Sequence, residues 1–181
     1  MLGRKMDALD RKILIALQQS GRKSNAEMAR ELGVAPSTIL ERIRRLEENR
    51  QILGYRALID PEALGLAVQG FVSVTLDRHD KEYIRKFEEG IQNIAHVRAC
   101  YHVTGRFDYL LYVVARDLAH LGELVKERIA SIGGIGKVET FLLFSEVKSD
   151  QGLPIPQDRN ETNDSNSDKK PVFTNQAKGG K

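Results

Sequence analysis

Two hydrophobic periods succeed one another along this chain, and that succession constrains the fold more than any single residue does. Residues 7–49 repeat apolar side chains at helical spacing, residues 52–148 alternate strand and helix patterns, and from Asp150 onward neither period continues. In the second region Val68, Gly70, Val72, Val74 and Leu76 alternate with Gln69, Phe71, Ser73 and Thr75, which predicts a strand. Residues 80–91 then carry Tyr83, Ile84, Phe87 and Ile91 at helical spacing. Strands follow over 97–103 and 109–115, with Gly105 in the tight connection between them. A helix over 118–132 sets Leu121, Leu124, Val125, Ile129 and the stem of Arg128 on one side, and a last strand covers 137–147. The order β-α-β-β-α-β is that of the ferredoxin-like split βαβ arrangement, so the fold class is α+β.

Two helices cover only one face of a four-stranded sheet. Leu110–Ala115 and Phe141–Phe144 are apolar on both faces, so the uncovered face needs a partner, most simply a second copy of itself. A face-to-face homodimer is expected. Cys100 and His102 share a strand face, with His96 close before them. Alternating spacing of this kind can build a metal site, but the face is expected to be the buried dimer surface, and a structural role is the preferred reading. His79 and His120 show no convergence with them. The single cysteine excludes an internal disulfide framework and a zinc finger. No cofactor, bound metal or catalytic residue is expected.

The first 49 residues read as three helices. Leu9, Ile13, Ala16 and Leu17 form the stripe of the first, which Asp7 caps and Gly21 ends. The second opens on Ser24-Asn25-Ala26-Glu27, a capping box, and stops at Gly33 after about two turns. The third begins at Pro36, and Ile39, Ile43 and Leu46 are its buried stripe. A short capped helix, a glycine that admits a left-handed turn and a following amphipathic helix make a helix-turn-helix. Its last helix presents Ser37, Thr38, Glu41, Arg42, Arg44 and Arg45, residue types suited to phosphates and base edges in a major groove. Charge agrees. Residues 1–60 carry 12 Lys/Arg and 8 Asp/Glu, a balance of +4, whereas residues 61–150 carry 11 and 13, a balance of −2. The competing reading of the first region is a three-helix bundle with a solvated basic face.

Leu9-Asp-Arg-Lys-Ile-Leu14, Gly21-Arg22, Ala29-Arg-Glu-Leu-Gly-Val34, Pro36-Ser-Thr-Ile39, Arg42-Ile-Arg-Arg-Leu-Glu47, Ile52-Leu-Gly-Tyr55, Asp60-Pro-Glu-Ala-Leu-Gly65 and Thr104-Gly-Arg-Phe-Asp-Tyr-Leu-Leu111 stand in the order found in Lrp/AsnC (feast/famine) transcriptional regulators. The chain resembles that family from about Met6 to Lys148. The resemblance implies a winged-type helix-turn-helix over 1–51, a linking strand and hinge over 52–65, and a ferredoxin-like effector and assembly domain over 66–149. It implies dimers that assemble further, into tetramers or octamers, on pseudo-palindromic double-stranded DNA, and a small-molecule effector, commonly an amino acid. Carried over by position, Pro36, Ser37, Thr38, Glu41, Arg42 and Arg45 are expected near the groove, with Arg44 and the Ser24/Asn25 amide end on phosphates. The effector is expected at Thr104, Gly105, Arg106, Phe107 and Asp108, with the amides around Gly105 taking a carboxylate, Asp108 pairing with an ammonium and Thr140 adding a hydroxyl. The competing reading is a tight turn that Asp108 caps.

Three departures from the family pattern bear on these expectations. Ala35 stands where a capping Ser or Thr is usual, at a cost of about 1 kcal/mol. Arg50 stands where Gly is usual. A left-handed Arg costs roughly 1–2 kcal/mol, so Asn49 is expected to take that conformation and leave Arg50 to phosphate. Residues 150–181 lie outside the resemblance. Their polar composition predicts disorder. The absence of an 18-residue apolar run and of a secretory leader points to a cytoplasmic protein with no membrane partner. Two alternatives share the architecture: a sirohaem decarboxylase-like enzyme and an effector-binding protein that does not touch DNA. Gln18–Asn25 resembles the regulators rather than the decarboxylases, and Arg42, Arg44 and Arg45 argue against a degraded recognition helix.

Overall fold

A computed structural model describes residues 6–156, in two units: residues up to Arg56 together with 150–156, and residues 57–149. In the first unit, α1 (Ala8–Gln19), α2 (Asn25–Leu32) and α3 (Pro36–Glu48) enclose a core of Ile13, Ala16, Met28, Ala29, Ile39 and Leu46, against which Leu9, Leu17, Val34 and Ile43 pack. Gly33 adopts φ +68°, the left-handed turn needed between α2 and α3. The chain rejoins this unit near its end. Gln18 on α1 donates to the Leu153 carbonyl at 3.0 Å and accepts from the Leu153 amide at 2.6 Å. Residues 150–156 are thus irregular but tied to α1, while the disorder expected for 157–181 concerns residues outside those described.

The second unit runs β1 (Val68–Leu76), α4 (Lys81–Gln92), β2 (Val97–His102), β3 (Tyr109–Ala115), α5 (Leu118–Glu123) and β4 (Ile135–Leu142). The sheet order is β2-β3-β1-β4 with every neighbouring pair antiparallel. This is the split βαβ topology. Phe87 and Ile91 of α4, Leu121 of α5 and Leu124 just after it join Val72, Val74, Leu76, Leu111 and Val113 in one core. Both helices therefore cover the same sheet face. The other face carries Phe71 and Tyr112, whose rings are 5.6 Å apart, and the Tyr112 hydroxyl bonds to Gln69.

Several local expectations need correction. The segment after α5 is not a continuous α-helix. Leu124–Ile129 is a π turn followed by a 3₁₀ turn over Ala130–Ile132. The i→i+5 repeat brings Leu124 and Ile129, five residues apart, to the same buried side, which an α-helix would not do. Arg128 stays exposed, off the buried side that Leu124 and Ile129 share. β4 ends at Leu142, well before 147, and Phe144 and Val147 are fully solvent-exposed because no strand remains beside them. Among the described residues the linking segment has no ladder partner and no paired wing follows α3. Leu53, Leu58 and Ile59 are consequently exposed. Cys100 and His102 pair opposite Leu111 and Tyr109, so they face the helices beside α4, not the open face assigned to a dimer. His96 instead meets His120 edge-on, with ring centroids 4.5 Å apart, a convergence the sequence did not reveal. Among the described residues no group of three metal-ligating side chains could hold an ion, and no helix is long and apolar enough to cross a membrane.

Candidate nucleic-acid interface and effector loop

α3 is held in place by charge. Asp7 caps α1 and forms a reciprocal box with Asp10: the Asp10 amide donates to Asp7 at 2.9 Å and the Asp7 amide donates back to Asp10 at 3.1 Å. Asp10 is only 3% exposed. Its carboxylate takes Arg42 Nη1 at 3.0 Å and Arg45 Nη2 at 2.7 and 2.8 Å, and Arg42 also bonds to Asp7. The Arg42 guanidinium holds the Asp7 carboxyl below its ordinary value. Arg42 and Arg45 were expected at the groove as unengaged cations. Within the chain both are engaged, as the partners that a buried carboxylate on the neighbouring helix requires, since an unpaired buried charge is costly. The sequence held a signal for this. Asp10 falls three residues before Ile13 and seven before Leu17, on the buried stripe, where a carboxylate demands a cation.

With those two arginines engaged, the outward face of α3 consists of Ser37, Leu40, Glu41 and Arg44 at i, i+3, i+4 and i+7, all exposed. Pro36 is exposed at the first turn and Thr38 is half-buried. Arg44 pairs with Glu48 one turn on, at 2.9 Å, and both side chains are largely in solvent. Ala35 provides no side-chain cap. The Ser24/Asn25 end carries the capping box that the sequence predicts. The Ser24 hydroxyl donates to Glu27 at 2.7 Å, and Glu27 is held below its ordinary value by the Ser24 amide and hydroxyl. The Glu27 carboxylate thus takes the Ser24 amide and hydroxyl in the reciprocal cap of α2.

Arg50, and not Asn49, takes the left-handed conformation, with φ +56° against −81° for Asn49. The Arg50 amide bonds to Glu47 O at 2.9 Å and those of Gln51 and Ile52 to Leu46 O at 2.8 and 3.1 Å, closing the end of α3 around it. Arg50→Gly should therefore raise the melting stability of this unit by about 1 kcal/mol. If the Arg50 side chain meets phosphate, the same variant should bind DNA more weakly, with a shallower salt dependence. An unchanged melting temperature would show that the strain is absent.

In the second unit, Thr104, Gly105 and Arg106 are exposed at the β2–β3 connection, Gly105 has φ +136°, and the Arg106 guanidinium lies 5.8 Å from the Phe107 ring centre. Asp108 is engaged within the chain at both carboxylate oxygens. One oxygen accepts the Leu76 amide at 2.8 Å and the other meets His79 Nε2 at 2.9 Å. Burial pushes its carboxyl up, but the Leu76 bond, the His79 bond and the charges of His79 and His102 together hold it below its ordinary value. Asp108 thus fastens the loop to the end of β1. Thr140 pairs opposite Val72 on β4, the edge strand remote from β2, and within one chain it is not brought to this loop. Two cavities of the unit lie elsewhere. One is beside Glu88, Cys100, His102 and Tyr109, where burial raises the Cys100 thiol to about 11, and the other is beside His96, His120 and Glu123.

Comparison with known proteins matches both units. Residues 6–47 fit the AsnC-type helix-turn-helix domain and residues 69–153 the Lrp/AsnC ligand binding domain. The leucine-responsive regulatory protein of Escherichia coli K12 is 35% identical over 153 residues, covering 84% of this chain and 93% of its own. A transcriptional regulator of Neisseria meningitidis, solved as a complex with L-Met, superposes with a TM-score of 0.79 at 30% identity, over 83% of this chain and 97% of that one. An AsnC family transcriptional regulator of Agrobacterium tumefaciens gives a TM-score of 0.77 at 34% identity, over 82% of this chain and 97% of that one.

Proposed function

The chain belongs to the Lrp/AsnC family of DNA-binding transcriptional regulators, and from that premise we propose that it sits on pseudo-palindromic promoter DNA as a dimer or larger assembly under the control of a small amino acid. The observation that carries this reading is α3 itself. Its buried side is locked to α1 through Asp10, while Ser37, Glu41 and Arg44 stand outward on one face. Pro36 and Thr38 flank that face at its first turn, and Arg50 adds a cation at its far end. Arg42 and Arg45 orient the helix. Residues 1–51 serve as the DNA-binding domain, 52–65 as the hinge and 66–149 as the effector and assembly domain.

Self-association is supported by apolar groups that the single chain leaves in water: Leu53, Leu58 and Ile59 in the linking segment, and Phe141 and Phe144 at the end of the sheet. An amino-acid effector is supported by the L-Met bound to the Neisseria relative. Its carboxylate would meet the exposed amides around Gly105. Asp108 is committed to Leu76 and His79, so its ammonium partner must come from another group or another copy. The protein is a regulator and not an enzyme on this reading, acts in the cytoplasm, and uses no cofactor.

A gel shift on the upstream region of its own gene, with and without pooled amino acids, tests the whole. A retarded band whose midpoint moves with the pool is the expected result, alongside a gel-filtration mass of at least a dimer. A monomer at micromolar concentration would remove the assembly, and absent retardation would favour the effector-binding alternative. A coloured preparation would favour the sirohaem enzyme.

A further inference from the structure

The outward face of α3 holds one large apolar side chain. Leu40 is 58% exposed, one residue past Ile39, which is fully buried. It stands between Ser37, Glu41 and Arg44, and beyond it the exposed positions of α3 are Glu41, Arg44, Glu47 and Glu48. Scattered exposed leucines are ordinary. This one differs because it is the fifth residue of the helix, in the N-terminal half that a helix-turn-helix turns toward base edges. It makes no use of its exposure within the chain, while the core around Ile39, Ile43 and Leu46 is complete without it.

We propose that Leu40 is a specificity-determining residue that reads the 5-methyl group of a thymine in the major groove. Thymine is the base that presents an apolar group there, and aliphatic side chains recognise it by excluding water from the methyl. Polar neighbours at i−3, i+1 and i+4 would bracket that contact with hydrogen bonds to adjoining bases or phosphates. The proposal rests on the DNA-binding reading of α3 and adds to it the base class and the residue that selects it.

The full chain is used to enrich duplexes from a random-sequence pool, and each thymine of the enriched site is then replaced singly by uracil, which removes only the methyl. Affinity is read by fluorescence anisotropy at one fixed salt concentration. Wild type should lose about fourfold per half-site at one position, the value of one buried methyl. Leu40→Ala should bind the thymine duplex about as weakly as wild type binds the uracil duplex, and should not distinguish the two. Leu40→Met should keep the discrimination. Because Leu40 is outside the core, both variants should melt as wild type does. Wild-type indifference to every uracil replacement would overturn the proposal, as would an undiminished thymine preference in a folded Leu40→Ala. Failure to enrich any duplex would overturn the reading of α3 as well, and is thereby distinguishable.

Discussion

Asp10→Ala should unfold the helix-turn-helix at temperatures where the sheet unit remains folded. The variant leaves Arg42 and Arg45 without the carboxylate that both now contact, and removes half of the reciprocal cap on α1. Removing one partner of a buried ion pair costs about 3–5 kcal/mol. The Arg42 and Arg45 side chains are 25% and 30% exposed, so water recovers part of that, and roughly 2–4 kcal/mol is the expected loss. A unit of this size has only about 3–8 kcal/mol in total at typical stability per residue. Calorimetry should therefore show two transitions, the one belonging to the helical unit shifted far down and the other unmoved, with operator affinity reduced by roughly 100-fold or more at 37 °C. Arg45→Ala leaves Asp10 its bond to Arg42 and should cost less. A single unshifted transition in Asp10→Ala would mean that the clamp does not hold α3.

Arg44→Glu should do the reverse, abolishing tight DNA binding in a protein that melts normally. Arg44 is 77% exposed and its pair with Glu48 is a solvated i,i+4 bridge of the kind worth little to folding. Against a phosphate the substitution replaces attraction by repulsion, and a hydrogen bond to a charged group is worth about 1.5–3 kcal/mol, so roughly tenfold or more should be lost per protomer. The slope of log affinity against log salt should fall by about one per protomer. An unchanged slope would remove Arg44 from the phosphate contacts. The two variants together test whether Arg44 meets phosphate while Arg42 and Arg45 set the position of the helix.

The sequence distinguishes these roles poorly, and the reason is physical. Whatever is determined within one turn of chain was legible: the Asp7 and Ser24 caps, the Gly33 turn, the alternation of β1 and the order of the sheet elements. Arg42, Arg45 and Asp108 depend on partners 29 to 35 residues away, and no local period reports such a partner. The buried stripe of α1 did contain the anomaly of Asp10, which shows where a partner was owed but not which arginine supplies it. Arg50 was misplaced for a smaller reason. Asn49 tolerates left-handed geometry better than Arg, but α3 keeps near-helical geometry through Asn49, and the reversal falls on the next residue. Thr140 and the loop at 104–108 are a different case, since the sheet order sets β4 and β2 on opposite edges and no local period reports that separation.

The bond between Gln18 and Leu153 spans 135 residues of sequence, and this gives the molecule a schedule. At a translation rate of about 5–20 residues per second, roughly 7–27 s separate the emergence of the two partners from the ribosome. Within that interval the entire sheet unit is made. The helical unit is thus begun before the sheet unit and completed after it, and a nascent chain carries an unfinished α1 surface until the segment after β4 has been synthesised.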